Sequence, residues 1–160
     1  MGAEPGTCLH RAGEQREEVF GRLARVVRAR PRFSFREGTT EEEKADVLAA
    51  MRRTATVDSA SFGTVGQDLG DPSEGFTHAY AAGVEDLAAL ERYMHDPVHL
   101  EGDFTIVPRL AKLSAVRFSD DLDPGLSGKI MAMHSAKVAK YPEWGQLLDS
   151  IPQARITTGP

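Results

Sequence analysis

Between Arg32 and Phe118 the apolar residues switch repeatedly between a period of about two and a period of about 3.6, and this order restricts the fold more than any other feature of the chain. Arg32-Phe-Ser-Phe-Arg36 alternates polar and apolar side chains, the mark of a half-buried strand. Gly38-Thr-Thr40 reads as a turn. Thr40, with Glu43 three residues on, forms a capping box for a helix over 41–53 that carries Ala45, Val47, Leu48 and Met51 on one side. Residues 57–67 predict a second strand, bent at Gly63 or Gly66. A loop rich in Asp, Gly, Pro and Ser spans 68–75, and 76–82 reads as a third strand with His78, Tyr80 and Ala82 on one face. A helix follows over 85–94, which Pro97 stops. A short helix over 103–110, interrupted by Pro108, and a fourth strand over 111–118 complete the series. Strand, helix, strand, strand, helix, strand is the ferredoxin-like βαββαβ arrangement, an α+β fold in which a four-stranded antiparallel sheet has helices on one face. The other face is left bare, and a second copy of the chain is the expected cover, so we expect a homodimer.

Three regions follow. Residues 1–28 read as a flexible leader and a helix beginning at Glu14, 29–121 as the α+β domain, and 122–160 as an extension with two short helices around Pro142 and a frayed end. The extension holds Ile130, Met131, Met133, Trp144, Leu147 and Leu148, enough apolar surface that it should dock rather than hang in water. Apolar residues make up 41% and charged residues 27%, the balance of a globular domain. The formal charge of -5 disfavours a nucleic-acid surface, and the arginines at 22, 25, 28, 30 and 32 read as a mixed solvated face with Glu14, Glu17 and Glu18. The single Cys8 excludes an intrachain disulfide framework. No apolar run has the length of a membrane span and no secretory leader is legible, so we expect a cytoplasmic protein without a membrane partner.

Chemistry-bearing residues concentrate in Tyr93-Met-His-Asp-Pro-Val-His99 and in nearby His78. His95 and His99 have a metal-ligand spacing, but Pro97 breaks the helix between them and no further ligands complete a site, so no metal is expected. A turn at Pro97 can fold His99 back towards Tyr93. An imidazole beside a phenol supplies a base near neutral pH and an oriented donor, although the same pair also serves as an ordinary structural hydrogen bond. His78 either lines a pocket or bonds to a neighbouring loop.

Several of these residues carry a resemblance. They are Phe33-Ser-Phe35 ahead of Thr39-Thr40-Glu41-Glu42, Gly66-Gln-Asp68 after the second strand, Gly75-Phe-Thr-His78 opening the third, and above all Tyr93-x-x-x-Pro97-x-His99. On them the stretch from about Ala29 to Asp121 resembles the stress-responsive A/B barrel (Dabb) family of dimeric α+β barrels. The resemblance includes cofactor-free plant polyketide cyclases of the olivetolic acid cyclase kind, in which a Tyr and a His matching Tyr93 and His99 form the acid–base pair and a His matching His78 lies near the pocket. Two pocket positions differ: Ala29 stands where the plant enzyme has a His, and Met51 where it has a Tyr.

The resemblance implies a cofactor-independent enzyme acting on a small, polyketide-like carbonyl compound by cyclisation, aldol-type condensation or dehydration. His99 would be the base, Tyr93 its orienting partner or an oxyanion donor, and His78 an auxiliary residue. Val47, Leu48, Met51, Tyr80, Met94 and Leu100 would form the apolar walls. A non-catalytic ligand-binding or stress-responsive dimer, and a cofactor-free oxygenase of aromatic polyketides, are the other expectations.

Overall fold

The computed structural model describes residues 27–156, so the expected helix from Glu14, together with Cys8 and His10, lies outside the described residues. Strand β1 runs Val27–Phe35 and starts earlier than its sequence pattern predicts. The reason is legible afterwards: Val27, Ala29, Pro31 and Phe33 alternate with Arg28, Arg30 and Arg32, so these three arginines belong to one face of a strand. Pro31 sits inside this central strand. The β1–β3 ladder pairs Ala29 with Ala82 and Arg32 with Ala79 and skips Pro31, which has no N–H to give.

Helix α1, Glu41–Thr54, begins at the capping box read from the sequence. Thr40 Oγ1 accepts from the Glu43 N–H at 3.1 Å, and Glu43 accepts from the Thr40 N–H at 3.0 Å. Strand β2 is Phe62–Gln67 and β3 is His78–Val84. Gly63 is required where β2 meets the end of α1, since a Cβ there would collide with Ala55. Helix α2, Leu87–His95, is capped by Asp86, whose carboxylate accepts from the Ala89 N–H at 2.7 Å.

The next segment departs from expectation. A helix was expected over 103–110; instead α3 runs Pro97–Ile106, followed by a single 3₁₀ turn through Pro108. Pro97 opens α3 rather than merely ending α2, because the first turn of a helix needs no donor from its N1 residue. Gly102 lets α3 approach α1, its Cα facing the Thr54 hydroxyl.

Strand β4, Leu110–Ser119, pairs antiparallel with β1. Beyond it come α4, Leu126–Lys140, and α5, Pro142–Asp149, the two helices expected around Pro142. The end expected to fray, 156–160, falls outside the described residues beyond Ile156; before it, Gln153–Ile156 forms a strand the sequence reading did not anticipate, β5, parallel to β4 with Lys112 opposite Gln153 and Ala115 opposite Ile156. The sheet therefore has five strands in the order β2-β3-β1-β4-β5, and is mixed rather than purely antiparallel. The ferredoxin-like α+β class stands, and the four-strand count is corrected to five.

The helices lie on one face. Phe33, Val47, Ala50, Met51, Tyr80, Ala82, Ile106, Val107 and Leu110 are buried there together. On the opposite face Val116 and Phe118 are about half exposed. Among the described residues no helix is long and apolar enough to cross a membrane.

Candidate active site

The corner between α2 and α3 fixes the geometry of the site. Asp96 ends one helix and starts the other: its side chain accepts from the Val98 N–H at 2.8 Å, and Pro97 holds the first turn of α3. This corner swings the His99 ring back over α2. His99 Nδ1 lies 2.8 Å from the main-chain carbonyl oxygen of Tyr93. A carbonyl only accepts, so Nδ1 carries the proton of the neutral ring and Nε2 keeps its lone pair. Nε2 lies 3.5 Å from Oδ2 of Asp103, one turn further along α3. Burial pushes the His99 pKa below the ordinary histidine value, with Asp103 pulling the other way, so the ring is neutral at neutral pH.

The Tyr93 ring packs against His99 with centroids 4.5 Å apart, but its hydroxyl goes elsewhere, to the Tyr80 hydroxyl at 2.8 Å. Burial raises both phenol pKa values, so both hydroxyls stay protonated. Two O–H groups share one bond between them, which leaves one O–H able to donate to a third atom.

These groups surround a cavity of about 190 Å³ between the sheet and the helices. Met51 and Thr54 of α1, Tyr80 of β3, and Leu90, Tyr93 and Met94 of α2 line it, with His99 and Asp103 of α3. Of the residues expected at the site, His99, Tyr93, Tyr80, Met51 and Met94 meet here. The structure does not bring Val47, Leu48, Leu100 or His78 to the cavity wall. Val47 is fully buried in the core and Leu48 packs at its edge. The His78 ring stacks on Phe33 and meets Phe35 edge-on, and its Nδ1 is 2.8 Å from the Thr77 hydroxyl.

Sequence reasoning missed a second group of residues, centred on Asp103. Trp144 Nε1 of α5 donates to Asp103 Oδ2 at 2.7 Å. Lys137 Nζ of α4 is 4.0 Å from the same oxygen and 3.8 Å above the Trp144 ring, and this lysine is only 1% exposed. Burial lowers its pKa to about 8. Arg117 on β4 reaches His134 of α4, Nη2 to Nε2 3.1 Å, and burial together with the Arg117 charge lowers His134 to about 4. A signal existed. Ile130, Met133, His134 and Lys137 follow the spacing of one helix face, so a histidine and a lysine interrupt an apolar stripe. Among the described residues no cluster of three or more His, Cys, Asp or Glu could hold a metal ion.

The fold and this cavity under the helices define a ferredoxin-like α+β protein. The sequence profile of the stress responsive A/B barrel domain matches residues 31–120, more than half of the chain, and the protein belongs to that family. Solved structures share the fold at low identity. A dimeric ferredoxin-like protein of unknown function from Thermobifida fusca is 23% identical with a TM-score of 0.54, over 60% of this chain and 92% of that one. The hydroxynitrile lyase of Passiflora edulis is 19% identical with a TM-score of 0.54, over 61% of this chain and 95% of that one. A Dabb family protein from Mesorhizobium loti is 18% identical with a TM-score of 0.51, over 59% of this chain and 95% of that one. No curated protein matches the chain.

Proposed function

We propose that the protein is a cofactor-independent small-molecule enzyme that deprotonates carbon next to a carbonyl, in the manner of a polyketide cyclase. The observation that carries this reading is His99. Its Nδ1–H is spent on the Tyr93 carbonyl, which leaves the Nε2 lone pair free on a ring that lines an apolar cavity together with the protonated Tyr80–Tyr93 pair. The C–H proton passes to Nε2, and the C–H electron pair moves towards the carbonyl carbon as the oxygen becomes an enolate. The spare phenolic O–H donates to that oxygen. Asp103, at 3.5 Å, stabilises the imidazolium so formed. The enolate then attacks a second carbonyl in a cyclisation or aldol-type condensation, or expels a leaving group in a dehydration. The cavity is smaller than the roughly 300 Å³ lower end of common ligand pockets, which favours a compact substrate. A hydroxynitrile lyase shares the scaffold, so lyase chemistry is compatible with it.

The test is exchange of the protons beside the ketone of levulinate in heavy water, followed by NMR. The native protein should accelerate exchange and His99→Ala should lose the acceleration. No acceleration by the native protein would favour the non-catalytic ligand-binding dimer. A homodimer formed through the bare sheet face belongs to the same proposal, since dimers are named among proteins of this fold and Val116 and Phe118 are exposed on that face. A monomeric mass by light scattering would remove it.

A further inference from the structure

The ionisable cavity groups other than the two tyrosines are His99, Asp103, Arg117, His134 and Lys137. Both histidines are neutral at neutral pH, because burial lowers each of them. Lys137 has Asp103 beside it. Arg117 has no carboxylate within ion-pair distance among the described residues. One of its terminal nitrogens meets neutral His134, and the other, Nη1, is buried without a hydrogen-bond partner. Two cations against one carboxylate leave an excess of one positive charge at an apolar cavity. A buried charge with an unfilled donor is costly unless something pairs with it.

We propose that the cavity is built for a monoanionic substrate, a compact carbonyl compound whose carboxylate is held by Arg117 and Lys137. This deepens the proposed function and rests on it for the carbonyl, though not for the carboxylate. The excess of a single charge fits a carboxylate better than a phosphate monoester, which brings close to two negative charges near neutral pH. A guanidinium is also the side chain whose fork matches carboxylate geometry. Arg117 and His134 lie on β4 and α4, whereas His99 lies on α3. The carboxylate end of the substrate is thus assigned to the side built by β4 and the extension, and the reacting carbonyl to the side built by α2 and α3.

Binding of benzoate and levulinate, each against its neutral amide, tests the assignment. Trp144 is the only tryptophan in the chain and lies directly under Lys137, so its fluorescence reports the site, and calorimetry gives the affinity. At least one acid should bind and its amide should bind much more weakly. Arg117→Gln and Lys137→Met should each weaken acid binding roughly 10- to 100-fold, the worth of a charge-assisted hydrogen bond. Arg117→Gln should not lower the melting temperature, because the buried charge it removes has no carboxylate beside it among the described residues and leaves Nη1 unfilled. Equal affinity for acid and amide, binding of neither acid, or unchanged affinity in both variants would overturn the proposal. Should Arg117→Gln fail to fold, Lys137→Met reads the same quantity. His99→Ala should keep its affinity for the acid, so loss of the base and loss of the anion grip give different results.

Discussion

The family domain and the C-terminal extension contribute different groups to one cavity. The domain supplies the hydroxyls of Tyr80 and Tyr93 and the imidazole of His99, all uncharged at neutral pH, together with the charged side chains of Asp103 and Arg117. The extension supplies Lys137, His134 and Trp144, which surround Asp103 and Arg117 with an ammonium, a second imidazole and an indole N–H. Residues 31–120 carry the family match, so the extension is what this chain adds to the shared scaffold. The difference teaches a division of labour. In the proposed reading, proton transfer is assigned to groups of the domain alone, and the substrate charge to Arg117 of β4 together with Lys137 of the helices added after it.

The sharpest way to break this comparison is at His99. His99→Ala should slow levulinate exchange by roughly 10²- to 10⁴-fold, the usual contribution of a general base, while the extension stays docked. In the native protein the acidic limb of the rate profile should lie below the ordinary histidine value of about 6.5, because burial lowers the His99 pKa. Rates that fall only above that value would assign the limb to another group.

The next effect concerns the extension alone. Trp144 is 4% exposed, and Trp144→Ala should cost about 3–5 kcal/mol of stability in a denaturant melt. Limited proteolysis should then cut within 122–156 before the rest. Equal loss of both regions would make the extension and the domain one cooperative unit.

Lys137 gives a pH-dependent version. Its pKa falls from 10.5 unfolded to about 8 in the fold. Below about 8 both states carry the charge, and the fold bears the full cost of burying it. Between about 8 and 10.5 the folded state sheds its proton first, so stability rises with pH, by on the order of 3 kcal/mol in all. Lys137→Met should lack that rise when the two proteins are compared across the same range.

The smallest effect is expected at Tyr93. Tyr93→Phe removes one hydrogen bond and should cost about 1 kcal/mol of stability, with a smaller rate loss than His99→Ala because Tyr80 can still donate. A rate loss as large as that of His99→Ala would identify Tyr93 itself as the oxyanion donor.

Much of the domain was legible because each signal was local. Thr40 and Glu43 announce α1 within four residues, and the alternation around Phe33 announces β1. Tyr93 and His99 were legible as neighbours, but their actual link was not: a ring nitrogen meets a main-chain carbonyl, and the phenol turns to Tyr80. That partner lies thirteen residues away on another element, and no periodicity encodes it. Asp103 was obscured by reading Pro97 only as a stop. With Pro97 as the first residue of α3, Asp103 falls one turn below His99. Lys137 and Arg117 were hidden for a different reason. A charged side chain predicts solvent by default, and only the docking of α4 on the sheet makes these two interior.

Strand β5 has a consequence for how this protein keeps from aggregating. Without it, Lys112 to Ala115 of β4 would stand at the rim of the sheet with main-chain donors and acceptors open to any passing strand. Gln153–Ile156 occupies those groups from within the same molecule. A chain shortened before Gln153 would still contain every residue that lines the cavity except Ile156, yet would bare a sticky rim beside Leu113 and Ala115. The last described strand of the polypeptide thus guards solubility, a service separate from the cavity wall its neighbouring helices complete.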